Sequence, residues 1–442
     1  MACFGSVLAT AYMAATEVEG PMQFQAPRGT KDVLPPESRT WQWVESTFRD
    51  VCSRFRYEEI RTPVFEETGL FSRGIGDSTD IVTKEMYTFE DRGGRSITLR
   101  PEGTASVIRA YVQAKLGGEH QLHRFYYIYS IFRYERPQHG RLRQSHQVGA
   151  EAIGSAGPEI DAEIICLNAA LYEELGLTDA RLHLNSIGCP ACRPGYREAI
   201  RTALAPSLSR LCPDCQRRYE TNPLRVIDCK VPDCREVAEQ APSILDSLCP
   251  ACVEHFSGLR RLLDALGQPY DVDARLVRGL DYYMRTAFEF KSGSLGAQDS
   301  LSGGGRYDGL AELCGGKPAP GIGFAAGIER TILALADSGT AAPSDGRQPV
   351  YVASANGDAR LEAVRVVQEL RYAGLAADFD CFGRSLKAQL RAADRLPASH
   401  AVIVGTDELS RGVVVVRDLA SGEQREVPRA SIATEVTRPH HP

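Results

Sequence analysis

The sequence predicts a mixed α/β protein made of several domains, and three observations lead to this prediction. A chain of 442 residues is longer than one ordinary domain and favours roughly two to four. Residues 125–153 have the pattern of two antiparallel strands joined by a long polar loop. After residue 349, short apolar runs alternate with helical patterns, which is typical of a small α/β domain.

The bulk composition limits the kinds of function that the chain can have. With 43% hydrophobic and 24% charged residues, it is typical of a globular protein. The formal net charge of −6 argues against indiscriminate binding to nucleic acid, so any RNA contact should be local. No apolar run approaches the roughly 18–20 residues that cross a bilayer, and we expect no membrane segment. Residues 1–21 lack Lys and Arg, unlike a secretory signal or a transit peptide, and we expect a disordered extension there.

The first predicted element is an amphipathic helix that follows Arg39. Its apolar residues recur at spacings of three and four, which places them on one face: Trp41, Val44, Phe48, Val51, Cys52 and Phe55. A strand is predicted next, from Tyr57 to Ile60. Pro63 follows it, and the missing N–H of proline suits the edge or the end of a strand.

A candidate ligand-binding turn follows in the segment RPEGT, residues 100–104. Glu102 lies there between a proline and a glycine, where the backbone turns tightly and a ligand can approach closely. Taken alone, the segment is better explained as an ordinary turn before a helix at 105–111.

The predicted hairpin is the most informative segment. Its first strand, residues 125–132, is rich in aromatic and β-branched residues. Gln147 and Glu151 lie four residues apart and therefore on the same face of the returning strand. Guanidinium groups bind phosphates through paired hydrogen bonds, and a neighbouring carboxylate can hold Mg²⁺ or an amine. A solvated basic hairpin would show the same pattern. The arginines of the loop are Arg133, Arg136, Arg141 and Arg143.

Further segments resemble a known family. The hairpin resembles motif 2 of the class II aminoacyl-tRNA synthetases, and GIGFAAGIER at 321–330 resembles their motif 3. LVRGLDYY at 276–283 and GGGRYDGL at 303–310 look like the two signature peptides of the histidyl-tRNA synthetases, and RGTKDVLP at 28–35 also matches. The segments follow one another as they do in that family. The resemblance implies an enzyme that activates histidine with ATP and Mg²⁺ and transfers it to its tRNA.

The resemblance also implies the domain organisation. An α+β catalytic domain built on an antiparallel sheet is expected at 22–188 and 257–338, with a small α/β anticodon-binding domain at 349–442. A cysteine-rich insertion domain is predicted at 189–256. Residues 339–348 are rich in Gly, Pro, Ser and Asp and are predicted to be a linker.

The ATP site is assigned by the same resemblance. Amino-acid activation brings together two anions, a carboxylate and the α-phosphate, so arginines are the expected ligands. Arg133 would hold the α-phosphate and Arg330 the γ-phosphate, and Glu135 would help to hold Mg²⁺. Arg278 would lie beside the substrate carboxylate and stabilise the transition state, so Arg133 and Arg278 are the predicted catalytic residues. The run Gly303–Gly305 is expected where the backbone comes close to the ligand.

A histidine site is implied in the same way. Glu102 and Gln147 match the residues that receive the α-ammonium group, whereas Glu151, Tyr283 and Tyr307 match the lining of the imidazole pocket. A carboxylate facing one ring nitrogen and a phenol facing the other favours histidine over apolar or merely cationic side chains. The full predicted site consists of Glu102, Gly103, Thr104, Gln147, Glu151, Arg278, Tyr282, Tyr283 and Tyr307.

Contacts with tRNA and with a second subunit are implied as well. Gln138, in the motif 2 loop, is placed to meet the acceptor end of the tRNA. Pro63 matches the proline of motif 1, which lies at the dimer interface of class II enzymes, so a homodimer is implied. Four basic residues near the C terminus have the spacing of one helical face, which either is solvated or contacts RNA. They are Arg384, Lys387, Arg391 and Arg395.

The cysteines are concentrated in one stretch of the chain. Thirteen are present, and eight of them form four close pairs, Cys189 and Cys192, Cys212 and Cys215, Cys229 and Cys234, and Cys249 and Cys252. Such pairs are typical ligands of tetrahedral Zn²⁺ and suffice for one or two sites. The local concentration favours structural zinc in a cytoplasmic protein, with reduced thiols or disulfides as alternatives. The pairing of the cysteines cannot be read from the sequence.

Two other functions are consistent with parts of the sequence. A catalytically inactive relative would serve as a regulatory subunit of histidine biosynthesis, but such proteins usually lack the ATP-binding arginines or the C-terminal domain. An RNA-binding zinc protein would use the cysteines alone, but it would leave the ordered signature segments unexplained. Histidine-dependent exchange between ATP and pyrophosphate distinguishes the three, since only the enzyme should show it.

Overall fold

The computed structural model describes residues 24–437, except for 77–78, 119–120, 138–139, 344–347, 356 and 397. The predicted N-terminal extension and Gln138 lie outside the described residues. The chain divides into two compact units, Met1–Ala342 and Pro343–Pro442. Across the described ranges, every helix is too short or too polar to cross a membrane.

The first unit is built on an eight-stranded sheet. Its strands are β1 (Glu58–Glu59), β5 (His123–Phe132), β6 (Gln144–Ile153), β7 (Arg181–Ser186), β8 (Asp271–Val272), β9 (Met284–Lys291), β10 (Ser300–Arg306) and β11 (Gly321–Gly327). The spatial order is β1-β5-β6-β11-β10-β9-β7-β8. Neighbouring strands of this sheet are antiparallel, with two exceptions at its edges. The short outer strand β1 pairs in parallel with β5, and the short outer strand β8 pairs in parallel with β7. The predicted hairpin, β5 and β6, and the predicted antiparallel sheet are confirmed.

A smaller sheet and several helices surround this sheet. The smaller sheet is antiparallel, in the order β2-β4-β3, and consists of β2 (Phe65–Glu67), β3 (Tyr87–Glu90) and β4 (Ser96–Leu99). The helices of this unit are α1 (Glu37–Arg54), α2 (Thr68–Ile75), α3 (Thr104–Gln113), α4 (Pro158–Glu174), α5 (Arg193–Leu204), α6 (Pro213–Thr221), α7 (Leu224–Ile227), α8 (Pro232–Ala238), α9 (Pro250–Ala265), α10 (Leu310–Leu313) and α11 (Ile328–Asp337).

Helix α1 confirms the first predicted helix. Its predicted apolar face is buried from Trp41 to Cys52. The Phe48 ring contacts the rings of Tyr126 and Phe324 at centroid distances of 5.7 and 6.4 Å, so α1 packs against β5 and β11. The strand predicted next is shorter than expected, since only the two residues of β1 are in strand conformation.

The cysteine-rich stretch is helical and has a core of its own. Helices α5 to α8 bury Tyr196, Ile200, Leu204, Val226 and Val237 among themselves. Helix α9 runs past residue 256, the predicted end of the insertion, and packs Leu259 and Leu263 into the main core. The buried side chains of His255 and Asp161, 2.8 Å apart, join α9 to α4.

The second unit confirms the predicted small α/β domain. Its sheet has the order β13-β12-β14-β15-β16, with parallel pairing among the first three strands and antiparallel pairing beyond. Valines and alanines of the sheet and of α12 form its core. The elements are β12 (Val350–Ser354), α12 (Asp358–Tyr372), β13 (Ala377–Phe379), α13 (Leu386–Arg395), β14 (His400–Val404), α14 (Thr406–Ser410), β15 (Val413–Asp418), β16 (Gln424–Pro428) and α15 (Ile432–Val436).

Candidate active site

The first unit contains a polar cavity of about 330 Å³ that brings together most of the predicted site residues. Glu151 and Tyr307 are buried behind its lining. The cavity is also lined by Arg141 of the predicted basic loop, and by Tyr127 and Lys230, which the sequence did not single out. The predicted residues in the lining are Glu102, Gly103, Thr104, Arg133, Glu135, Gln147, Arg278, Tyr282, Tyr283 and Arg330.

Strand pairing makes room for two of these side chains. Gln147 and Glu151 on β6 stand opposite Gly327 and Gly323 on β11. A Cβ atom at Gly323 would lie 1.7 Å from Oε2 of Glu151. Glycine at this position therefore lets the Glu151 carboxylate lie across the neighbouring strand.

Glu102 joins the cavity to the start of α3. Its carboxylate accepts hydrogen bonds from the backbone N–H groups of Thr104 and Ala105, at 2.7 and 2.8 Å, and from the Tyr282 hydroxyl at 3.3 Å. Burial raises the pKa of Glu102 above its ordinary value, although these hydrogen bonds oppose the shift. Each carboxylate oxygen has two lone pairs, so Glu102 can still accept a bond from an ammonium group.

Glu151 is the most deeply buried carboxylate of the site. Its two oxygens accept hydrogen bonds from the Tyr307 hydroxyl at 2.5 Å, the Thr104 hydroxyl at 2.7 Å and the Tyr127 hydroxyl at 3.3 Å. Burial raises the pKa of Glu151 to about 8, against the opposing effect of these hydrogen bonds. The carboxyl group therefore exchanges a proton near neutral pH.

Arg278 lies where the backbone leaves no space for another side chain. A Cβ atom at Gly303 would lie 2.2 Å from Nη1 of Arg278, which explains the glycine in the GGG run. The guanidinium is 3.5 Å from Oε1 of Glu289 and 5.5 Å from the centre of the Tyr283 ring. Its buried Nε has no hydrogen-bond partner among the described residues. A buried donor without a partner indicates a group that awaits a ligand.

Three more guanidinium groups line the cavity, those of Arg133, Arg141 and Arg330. Nε of Arg133 donates to the carbonyl of Pro101 at 2.7 Å, and Nη1 of Arg330 donates to that of Ser300 at 2.9 Å. Burial lowers the pKa of all three, and repulsion from a neighbouring guanidinium lowers it further: that of Arg278 for Arg133, and that of Arg133 for Arg141 and Arg330. Because clustered cations destabilise one another, an anion bound among them is stabilised.

Glu135 is buried beside these arginines. Its carboxylate forms an ion pair with Arg141 and lies 3.9 Å from Nη1 of Arg133. A carboxylate in the lining of an anion-binding cavity has the hard oxygen ligands that Mg²⁺ requires, so the donor set fits the ion.

The cysteines form two separate clusters. The first cluster consists of Cys189, Cys192, Cys249 and Cys252, and the second of Cys212, Cys215, Cys229 and Cys234. Within each cluster the four sulfurs lie within 4.8 Å of one another. In the first cluster Sγ of Cys189 is 3.7 Å from that of Cys192 and 3.8 Å from that of Cys249. Four thiolates at about 2.3 Å from a tetrahedral Zn²⁺ lie roughly 3.8 Å apart, so the spacing fits the ion. All eight are free thiols in the structure.

The predicted basic stripe is wrong at one position. Helix α13 begins at Leu386, so the exposed Lys387, Arg391 and Arg395 lie on it, but Arg384 precedes it. The Arg384 side chain forms an ion pair with Asp380, and its N–H donates to the same carboxylate at 2.7 Å. These bonds hold Arg384 in the loop.

The sequence was compared with known families and proteins. A family model described as Histidyl-tRNA synthetase matches residues 29–331, and one described as Anticodon binding domain matches residues 349–438. The chain is 52% identical over 401 residues to the histidine–tRNA ligase of Desulforamulus reducens, covering 91% of this chain and 96% of that protein. The chain belongs to the histidyl-tRNA synthetase family. The predicted family and its ligase activity are thereby confirmed.

Other members of the histidyl-tRNA synthetase family agree with this assignment. The histidine–tRNA ligase of Moorella thermoacetica is 53% identical over 406 residues, covering 92% of this chain and 96% of its own. The crystal structure of apo histidyl-tRNA synthetase from S. aureus superposes with a TM-score of 0.80 at 36% identity, covering 94% of this chain and all of the other. The likeness extends over the catalytic unit and the C-terminal unit.

Proposed function

We propose that the cavity activates histidine with ATP, and that the chain then transfers histidine to the 3′ end of its tRNA. One observation carries the proposal: the guanidinium groups of Arg133, Arg278 and Arg330 line the same cavity as Thr104 and Tyr127, which donate hydrogen bonds to the buried Glu151. ATP brings several negative charges to the site, and the histidine ring brings two nitrogen atoms to the other end. The cavity is complementary to both.

The arginines act on the phosphates. The histidine carboxylate attacks the α-phosphorus of ATP, the bond to the β-phosphate breaks, and pyrophosphate leaves. Negative charge grows on the α-phosphate oxygens in the transition state, where Arg133 and Arg278 stabilise it, while Arg330 binds the γ-phosphate. Mg²⁺, when bound, neutralises part of the charge of the leaving pyrophosphate. Glu135 is the carboxylate that would hold the ion.

The opposite end of the cavity selects histidine. Glu102 and Gln147 receive the α-ammonium group, and Glu151 accepts a hydrogen bond from one ring nitrogen. Tyr282 and Tyr283, with ring centroids 4.6 Å apart, form an aromatic wall for the imidazole. An amino acid without a ring N–H cannot form this additional hydrogen bond in the buried site, which disfavours it against histidine.

Exchange of labelled pyrophosphate into ATP, with each of the standard amino acids added singly, tests this assignment. We expect exchange with histidine alone. Glu151→Gln should raise the KM for histidine by more than about tenfold, because a charge-assisted hydrogen bond is lost. Glu239→Gln, an exposed carboxylate paired with Arg275 outside the cavity, is the matched control and should leave the KM unchanged. Exchange with another amino acid instead of histidine would refute the proposal.

We propose structural Zn²⁺ in both cysteine clusters. The support is the sulfur spacing, together with backbone N–H groups that donate to the sulfurs of Cys192 and Cys234, both at 3.1 Å. Such hydrogen bonds orient the ligands of a metal ion. Metal analysis should give about two equivalents of zinc per chain. Cys314→Ser, which lies outside both clusters, should keep this content. Less than about a tenth of an equivalent would exclude structural zinc.

A homodimer and contacts with tRNA complete the proposal. Beside Pro63, the apolar side chains of Val64, Phe65 and Phe89 are 42%, 54% and 48% exposed, which favours an interface there. Phe65→Glu should convert a dimer into a monomer in sedimentation measurements; a wild-type monomer would argue against the interface. We further propose that Gln138, Lys387, Arg391 and Arg395, with Arg384, contact tRNA, and that the enzyme acts in the cytoplasm, where tRNA is charged.

A further inference from the structure

The helical insertion reaches the catalytic cavity through Lys230. This residue follows Cys229, a member of the second cysteine cluster, and its exposed side chain lines the same cavity as Arg133, Arg278 and Arg330. The cavity is therefore not formed by the catalytic sheet alone.

The segment before Lys230 contacts the signature segment at 276–283, which contains Arg278. Nδ2 of Asn222 donates to Oδ1 of Asp281 at 3.1 Å, and the guanidinium of Arg225 packs over Gly279. Farther back, Arg218 forms an ion pair with Asp80 at 2.5 Å. Two of these contacts join the insertion to Gly279 and Asp281, which directly follow Arg278, and so hold the segment before Lys230 beside the cavity.

The charges around Lys230 indicate what it binds. Among the described residues, five cationic side chains line the cavity, those of Arg133, Arg141, Lys230, Arg278 and Arg330. Three carboxylates line the cavity as well, those of Glu102, Glu135 and Glu329, so the cationic side chains of the lining outnumber the carboxylates. A compact ammonium at the rim of an arginine-lined cavity is suited to a phosphate group.

We infer that Lys230 binds the phosphate groups of ATP, so that the insertion supplies part of the nucleotide site. The inference rests on the proposed role of Arg133 and Arg330 in phosphate binding. The cysteine cluster positions Lys230, because Cys229 is a member of the cluster and is the adjacent residue. Binding of ATP thereby becomes linked to the structure of the insertion.

Pyrophosphate exchange by Lys230→Met, with ATP and histidine varied separately, tests the inference. We expect the KM for ATP to rise about tenfold, as for loss of one partly solvated charged hydrogen bond, and the KM for histidine to stay within about twofold. Lys230→Arg should recover most of the ATP affinity. Arg210→Met, an exposed insertion cation paired with Glu236, is the control and should behave as wild type.

Other outcomes have distinct meanings. Equal rises in both KM values, or an unchanged KM for ATP, would overturn the inference. Normal exchange with a raised KM for tRNA in aminoacylation would also overturn it and assign Lys230 to tRNA. The zinc content and the thermal midpoint of each variant show whether the insertion is intact. A wild-type protein without exchange would contradict the proposed function itself, which keeps the two failures distinguishable.

Discussion

The raised pKa of Glu151 predicts an unusual pH dependence of histidine binding. Burial raises this pKa to about 8, so the carboxyl group is largely protonated in the empty cavity at pH 7. A free imidazole has a pKa of about 6.5 and is largely neutral at the same pH. One proton, already present on the carboxyl group, is then shared between Glu151 and the ring in the complex, and binding near pH 7 needs no proton from solvent.

Outside the interval between these two pKa values, binding changes the number of bound protons. Above about pH 8 the empty site has lost its proton and must take one up, so histidine affinity should fall up to tenfold per pH unit, or roughly thirtyfold at pH 9.5. Below about pH 6.5 both partners are protonated and one proton must leave, which also weakens binding. The affinity should therefore be highest near pH 7 to 7.5.

Isothermal titration calorimetry of histidine, in buffers of different ionisation enthalpy, measures both the affinity and the protons exchanged. Glu151→Gln should bind more weakly at every pH and lose the part of the alkaline decline that Glu151 causes. The α-ammonium of histidine titrates in both proteins, so the difference between them isolates Glu151. Identical alkaline declines in the two proteins, or a wild-type affinity that is flat to pH 9.5, would refute this reasoning.

Folding stability should depend on the same group. The pKa of Glu151 is raised from 4.5 in the unfolded chain, so its contribution to stability is fully present below about pH 4.5 and is lost as pH rises through about 8. Relative to Glu151→Gln, the wild type should lose a few kcal/mol of unfolding free energy over this interval. Chemical denaturation at several pH values measures the difference, and a constant difference would contradict the raised pKa.

Three further predictions concern the arginine pocket and the insertion. Arg278→Ala should lower the single-turnover rate of adenylate formation by about 10²–10³-fold and change histidine affinity much less; an equal loss in both would mean that Arg278 only binds substrate. Gly303→Ala should lower the rate of adenylate formation by a similar factor without unfolding the protein, since the added Cβ meets the guanidinium end of the Arg278 side chain. Gly304→Ala, in contrast, should lower the thermal midpoint, because its Cβ would lie 2.3 Å from the backbone oxygen of Gly323. Cys234→Ser should remove one zinc equivalent and spare the other, and unchanged metal content would contradict the observed clusters.

Periodicity and local chemistry predicted much of the fold. Helix α1 and the β5–β6 hairpin were predicted because their apolar spacing reports one buried face over many residues. The C-terminal sheet was predicted for the same reason. Strand β1 is shorter than predicted because strand pairing depends on a distant partner, and only Glu58 and Glu59 pair with β5.

The parts of the site that escaped prediction depend on contacts across long distances in the chain. Tyr127 resembles an ordinary core residue of an aromatic strand, and only the fold shows that its hydroxyl donates to Glu151. Lys230 belongs to none of the signature segments, and its place in the cavity depends on how the insertion folds back.

The cysteines and Arg384 illustrate the same limit. Cys189 follows β7 and Cys249 precedes α9, so their meeting is a property of the topology and not of the spacing. Arg384 has the spacing of the α13 face, yet it lies in the loop, because Gly383 adopts a φ of 70° and Asp380 pairs with the arginine. A regular spacing does not show where a helix begins.

The central claim is that one cavity holds the imidazole at Glu151 and the α-phosphate at Arg133 and Arg278. A crystal structure with a non-hydrolysable analogue of histidyl-adenylate tests it most directly. We expect one ring nitrogen within hydrogen-bond distance of the Glu151 carboxylate and the phosphate analogue in contact with both guanidinium groups. An imidazole bound elsewhere, with Glu151 still paired only to Tyr307, Thr104 and Tyr127, would contradict the claim.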